Sequence, residues 1–456
     1  MKSVIAIFGA TGNLMYKKLI PALSALSAKN LLDPDTIILC IGRANHTKES
    51  YLETAKSQVQ TEVDWDKFAS MSEYFRMDFD QIGSYDSLYR YISQFGQTKR
   101  LFYLAVAPEL FPVIAQGISE VRLIEKNDEH GRIVFEKPFG EDLKTAKNIN
   151  ALLWKYFDES QIYRIDHYLG KEMIQNILVM RFANKLFENN WNSQSIEKVT
   201  IIAKETEGVM TRGNYYDHVG AIKDMIQSHL LQMAALIAME VPKSFDEDGI
   251  REEKVRVLKR LHVHQNDIIR GQYIGYLEEK NIAKNSQTET AIMMKAYIDS
   301  PRWKGVPFYF LTGKKFNEKR SEIIVDFEDN TSQGDLWPEQ KITKNQLVIR
   351  VAPDEGVSFR LNVKEHGLST IIHPMEMDYC HDCNVVGNKP EAYERLLLDF
   401  IRGQSTLFTR WDEIEAAWKV IDSVKSHDTP LISYHNFEDF LKAIDQHYQE
   451  VTYDHS

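Results

Sequence analysis

Several stretches of this chain carry side chains whose type and spacing could do chemistry. Between an apolar run, Val4-Ile5-Ala6-Ile7-Phe8, and leucines at helical spacing stand Gly9-Ala10-Thr11-Gly12-Asn13-Leu14. Glycines let a backbone turn tightly and approach a pyrophosphate, and the helix start that follows offers unsatisfied N–H groups and a partial positive charge. The spacing is G-x-x-G rather than G-x-G-x-x-G, and two glycines also serve an ordinary strand-to-helix turn. Arg43 follows a second apolar run, where dinucleotide-binding folds read the ribose 2′ position. An arginine there favours the 2′-phosphate of NADP over the free hydroxyl of NAD, although the position alone also fits a solvated surface arginine.

The densest stretch is Arg164-Ile165-Asp166-His167-Tyr168-Leu169-Gly170-Lys171-Glu172. His167, Tyr168 and Lys171 can donate to phosphate oxygens and would face one way if the segment turned helically, which Gly170 opposes. Lys137, in Glu136-Lys137-Pro138, follows another apolar run and so would stand over the ligand-binding edge of an open α/β sheet. His229, with Met225 and Met233 four residues to either side, lies on an apolar helical face. Such a histidine is either structural or, given a carboxylate partner, a general base near neutral pH. Lys314 and Lys319 sit in a basic loop that could hold an anion or be a solvated hairpin tip. Cys380-His381-Asp382-Cys383, with His366 and His373 nearby, has zinc-type ligands but only one C-x-x-C, so no metal is expected.

These residues need elements to position them. In the first third, apolar runs at 4–8, 36–41, 101–106 and 133–135 alternate with helical spacing, which predicts a parallel sheet covered by helices. After residue 166 the texture changes. Helical stretches from Lys171 to about Asn184 and from Ile222 to Met239 flank a strand at 197–203. From Pro307 onward strand-like runs dominate, at 308–310, 322–327, 346–351 and 358–363, and helices at about 391–403 and 411–426 close the chain. The expectation is an α/β Rossmann-like dinucleotide-binding domain, residues 1–166, and a larger α+β domain, residues 167–456, with a big, mainly antiparallel sheet.

Length and composition bound the function. With 456 residues the chain exceeds one core, and 43% hydrophobic with 27% charged residues is ordinary globular composition. A net charge of −11 argues against nucleic acid as a partner. Three cysteines do not make a secreted disulfide framework, no apolar run reaches membrane-spanning length, and no leader is evident, so a cytoplasmic location is expected.

The motifs together resemble glucose-6-phosphate dehydrogenases over nearly the whole chain. The run Arg164 to Glu172 matches the family's R-I-D-H-Y-L-G-K-E in full. Gly9 to Lys18, Glu136 to Gly140, Trp303 to Tyr309, Thr312 to Lys314, Pro353 to Gly356 and Pro390 to Leu397 add to it. The resemblance implies that Gly9, Thr11, Gly12, Asn13 and Leu14 cradle NADP, with Arg43 on its 2′-phosphate and Lys137 touching both ligands. Pro138 resembles a proline that shapes this strand end, often through a cis peptide. It further implies that Lys18, Lys137, His167, Tyr168, Lys171, Glu205, Asp224, Lys314 and Lys319 bind glucose 6-phosphate, and that His229 is the general base, oriented by Asp166. The implied reaction is oxidation of C1 to 6-phospho-D-glucono-1,5-lactone, the first oxidative step of the pentose phosphate pathway. The implied assembly is a homodimer through the large sheet, with a tetramer as an alternative.

There are departures. Asn13 stands where the family usually has Asp, Met15-Tyr16 replace small and basic residues, and Val106-Ala107-Pro108 keeps only part of V-P-P. These keep NAD open as a weaker alternative cofactor. A different NAD(P)-dependent sugar oxidoreductase would share Glu136-Lys137-Pro138, but not the run from Asp166 to Glu172. A catalytically inactive NADP-binding protein would not need His229 and Asp166, and both are present.

Overall fold

The computed structural model describes residues 2–328, 337, 340, 342–381, 391–424, 429 and 431–447, with the side chains of 265 and 266 excepted. The chain divides into two units.

The first unit comprises Met1–Gly170, Phe245–Arg251 and the described part of Pro390–Glu415. Its sheet has six parallel strands in the order β3-β2-β1-β4-β5-β6, made of Ser72–Arg76 (β3), Ile37–Gly42 (β2), Ser3–Phe8 (β1), Lys99–Leu104 (β4), Gly131–Phe135 (β5) and Ile162–Arg164 (β6). The order reverses at β1, so the turns after β1 and β4 open side by side, which is where ligands bind in such sheets. β1 is buried at every position, as expected of a strand covered on both faces. Phe8, Phe102 and Phe135 join Leu39, Ile114 and Ile118 in one core, each burial worth about 1.5–3 kcal/mol.

Two of these strands are absent from the sequence expectation. β3 (SEYFR) is mostly polar and β6 is three residues long, so neither shows the apolar run by which the other four are read. The domain boundary differs as well. The first unit ends its leading segment at Gly170 rather than 166, and two later segments return to it. The helix Ala392–Arg402 explains one return. It buries Leu396, Leu397 and Phe400, and Tyr163 of β6 packs edge-on against Phe400 and Phe408, at 5.3 and 4.8 Å between ring centroids. Glu394 also pairs with Lys29 at 2.7 Å.

The second unit comprises Lys171–Ser244, Glu252–Lys389 and Ala416–Ser456, within the described residues. Its nine-stranded sheet runs β14-β13-β12-β11-β7-β10-β9-β8-β15. The strands are Ile196–Lys204 (β7), Leu261–Tyr273 (β8), Ala291–Ile298 (β9), Phe308–Gly313 (β10), Arg320–Phe327 (β11), Gln346–Ala352 (β12), Gly356–Lys364 (β13), Ile372–Cys380 (β14) and Leu431–Tyr434 (β15). Only β7–β10 and β8–β15 pair in parallel, so the sheet is mainly antiparallel as expected. β8, β9, β14 and β15 extend it beyond the runs visible in sequence, and among the described residues a further helix, Phe437–His447, follows Trp411–Ser423.

The helical stretch predicted from Ile222 to Met239 consists of a π-helical segment, Ile222–Leu230, followed by an α-helix, Leu231–Ala238. Gly220 sits just before it at φ +65°. A Cβ there would lie 2.3 Å from Glu289 Oε1, so only glycine allows this entry. Among the described residues, no helix is long and apolar enough to cross a membrane.

Candidate active site

In the first unit the candidates come off the C-terminal ends of β1, β2, β5 and β6. Parallel strands put those ends on one edge. The Gly9–Leu14 turn is tied to β2 by the Gly9 and Ala10 amides, both donating to Ile41 O at 3.0 Å. Gly12 N donates to Gly9 O at 2.9 Å, closing the turn. Gly9 has φ +91°, and a Cβ on it would stand 2.2 Å from the carbonyl oxygen of Ala105, just past β4. The turn therefore needs glycine there on two counts. Thr11 and Asn13 are exposed beside Gly12. Asn13 and Leu14 begin a helix that continues as a π-helical segment, Met15–Leu19, with Tyr16 N donating to Gly12 O at 3.3 Å, so the N–H groups free for an anion are those of the first turn. These residues fit a dinucleotide phosphate.

Lys18 lies on that segment and pairs with Glu391 Oε2 at 2.7 Å. Arg43 is exposed after β2, its guanidinium 5.9 Å from the Phe79 ring centre. Lys137 precedes a cis bond to Pro138. Beside it, Glu136 accepts hydrogen bonds from the hydroxyls of Tyr103 and, at 3.3 Å, Tyr393. Burial pushes the Glu136 carboxyl above its usual range, against the pull of both tyrosines.

The stretch after β6 is a turn rather than a helix. Asp166 is buried, its Oδ1 accepts the Tyr168 amide at 2.9 Å, and its carbonyl accepts Leu169 N at 3.1 Å. The His167 and Tyr168 rings lie 4.9 Å apart, half-buried. The helical arrangement that would have aligned them with Lys171 does not form, because the helix begins only at Glu172 with Lys171 as its N-cap. Gly170 is held against the helix Ala392–Arg402, where a Cβ would meet Ala392 O at 2.7 Å. Arg164 is buried and structural. It grips Glu159 with two bonds, at 2.6 and 3.0 Å, and Asn150 at 2.6 Å. Burial alone would raise the Glu159 carboxyl, but Arg164 overrides it and holds it low.

In the second unit Glu205, Asp224 and Lys314 gather around Tyr216. Glu205 follows β7 and Lys314 follows the adjacent β10, with Lys314 Nζ 2.5 Å from Glu205 Oε2. Lys314 also lies 4.9 Å from the Tyr216 ring centre. The π-helical segment Ile222–Leu230 packs on β7 and β10 and carries both Asp224 and His229. They are five residues apart, the hydrogen-bond step of a π-helix. Both are buried, His229 completely. Burial first, then the charges of Asp224, Glu289 and Glu205, push the Tyr216 hydroxyl far above its ordinary range. Lys319 stays exposed on the β10–β11 turn. Its neighbour Glu318 instead takes the buried Lys204, at 2.8 Å.

Sequence reasoning did not single out Tyr216, Lys204 or Arg76. Tyr216 and Lys204 carry no motif, and Arg76 ends the unseen strand β3. The zinc-type run has Asp382 and Cys383 outside the described residues. Cys380 is disulfide-bonded, and His381 Nε2 faces Glu172 at 3.7 Å.

Residues 6–176 match the glucose-6-phosphate dehydrogenase NAD binding domain, and residues 178–450 match the C-terminal domain of the same family. A glucose-6-phosphate 1-dehydrogenase of Bacillus subtilis (strain 168) is 40% identical over 445 residues, covering 93% of this chain and 91% of that protein. A glucose-6-phosphate dehydrogenase solved in complex with its substrate glucose-6-phosphate is 33% identical with a TM-score of 0.89, covering 99% of this chain and 98% of the other. The enzyme from Mycobacterium avium is 32% identical with a TM-score of 0.86, over 95% and 93%. With both of its halves matched by one family, and a relative of this identity over nearly all its length, the chain belongs to the glucose-6-phosphate dehydrogenase family.

Proposed function

We propose that this protein oxidises C1 of glucose 6-phosphate with NADP, yielding 6-phospho-D-glucono-1,5-lactone. The observation that carries the reading is family membership with the run from Arg164 to Glu172 intact. In this reading a ring nitrogen of neutral His229 takes the proton of the C1 hydroxyl as hydride leaves. Asp166 holds the imidazole orientation and stabilises the imidazolium formed. His167, Tyr168 and Lys171 grip the 6-phosphate, far from C1, and that binding supplies free energy for alignment at the reacting carbon. Glu205, Asp224, Lys314 and Lys319 take sugar hydroxyls, with Lys18 and Lys137 near the sugar. Gly9, Thr11, Gly12, Asn13 and Leu14 hold the cofactor phosphates, Lys137 touches the cofactor as well, and Arg43 binds the 2′-phosphate. The nicotinamide, when bound, accepts the hydride.

The test of the base is His229→Asn. Turnover should fall by at least ~10²-fold while glucose 6-phosphate binding stays near wild type. Unchanged turnover would remove His229 from the chemistry. A cytoplasmic setting goes with this reading, because a sugar phosphate and NADP are multiply charged and do not cross a bilayer unaided.

A homodimer through the second unit's sheet is favoured by one feature. Met375, Met377 and Tyr379 alternate along β14, 39%, 56% and 54% exposed, opposite Leu361, Phe359 and Val357 of β13. Residues paired in this way share one face, and an exposed apolar face of this kind is an association surface. Met377→Asp should halve the mass seen by light scattering without unfolding the chain. A wild-type monomer would contradict the assembly, and a tetramer would extend it.

A further inference from the structure

We infer that Arg76 is a second reader of the cofactor's 2′-phosphate, acting with Arg43. The inference rests on the NADP reading above. β2 and β3 pair in parallel, with Gly42 opposite Arg76. Arg76 therefore leaves β3 one strand away from where Arg43 leaves β2, about 4.8 Å across. The Arg76 guanidinium turns toward the segment that Arg43 begins, with Nη1 3.4 Å from Asn45 Oδ1. That segment is fixed from the same side, since the Tyr74 hydroxyl donates to Ala44 O at 2.8 Å and the Tyr74 ring stacks on Tyr51 at 4.8 Å.

The carboxylates of these elements are committed elsewhere. Glu73 takes Lys48 at 3.1 Å, and Asp78 accepts from Gln81 Nε2 at 3.2 Å within its own turn. Among the described residues neither Arg43 nor Arg76 is ion-paired, and both are exposed. Two guanidiniums without carboxylate partners at adjacent strand ends, Arg43 over the Phe79 ring and Arg76 against Asn45, suit a phosphate dianion. A ribose hydroxyl would leave that charge unused. Arg76 would thus bear on cofactor choice rather than on hydride transfer.

The test is calorimetric binding of 2′,5′-ADP and of 5′-AMP to the wild type, Arg43→Ala, Arg76→Gln and Arg76→Lys, with KM for NADP and NAD alongside. Arg76→Gln should weaken 2′,5′-ADP by roughly tenfold, the scale of one charge-assisted contact, and change 5′-AMP by less than twofold. KM for NADP should rise with kcat unchanged, and Arg76→Lys should recover part of the loss. Unchanged 2′,5′-ADP binding in Arg76→Gln would overturn the inference. Equal loss of both nucleotides would also overturn it, since Arg76 would then only prop the segment. If the wild type binds 2′,5′-ADP no better than 5′-AMP, the NADP reading itself fails, whatever Arg76 does.

Discussion

At the scale of single residues, burial sets reactivity. Cys40 lies in the middle of β2, and burial pushes its thiol up to about 12. A raised thiol favours the protonated folded form. Its contribution to stability is whole below the unfolded value near 9 and is lost as pH rises toward 12. The nucleophile is the thiolate. At pH 8 iodoacetamide should therefore label native Cys40 at least ~10²-fold more slowly than the urea-unfolded chain, read by peptide mass mapping. Equal rates would mean that β2 opens readily. The run from Asp166 to Lys171 stood out in sequence by its density of polar side chains, and the structure makes it a turn after β6 with Asp166 buried. Arg164, just before that run and given no role from sequence, clamps Glu159 and Asn150. Tyr216 left no trace in sequence, because its surroundings come from Lys314 and Asp224, which Tyr216 meets only in the fold.

At the scale of elements, strands with long apolar runs were legible and polar or very short ones were not. β1, β2, β4 and β5 carried the first sheet's pattern, while β3 and β6 were hidden, and Arg76 with them. Periodicity marked the stretch after Ile222 as helical but could not show its π geometry, since apolar spacing does not separate a π-helix from an α-helix over nine residues. The helix Gly213–Ala221 that leads into it is tied down by Asp217. That carboxylate accepts from the Tyr276 hydroxyl at 2.8 Å, the Ser286 hydroxyl at 2.5 Å and Ala283 N at 3.1 Å. Burial would raise the carboxyl, but these donors outweigh it and hold it low. A depressed acid adds stability above its unfolded value and loses it as pH falls. Asp217→Asn should cost about 1 kcal/mol near pH 7, at the low end because the group is partly solvated. The gap in melting temperature between variant and wild type should close below pH 4. A gap that persists in acid would show that shape rather than charge matters there.

At the scale of the molecule, each of the two folded units carries candidate residues of its own. The first presents Gly9, Arg43, Lys137 and Asp166 at the edge of a parallel sheet, and the second presents Glu205, Asp224, His229 and Lys314 against a mixed one. The two-part architecture was legible from the change of pattern near residue 166. The return of Phe245–Arg251 and of the helix Ala392–Arg402 to the first unit was not, because the helix packs on Tyr163 and Lys29 and the short segment bonds to Ser405 and Arg410, all far away in sequence. The proposed function assigns both residue sets to one activity, and one measurement tests that proposal most directly. Purified protein should be mixed with glucose 6-phosphate and NADP, with NAD and with unphosphorylated glucose as comparisons, and nicotinamide reduction followed by absorbance. The account predicts rapid reduction that requires the sugar phosphate and is faster with NADP than with NAD. No reduction with either cofactor, from folded protein, would contradict it.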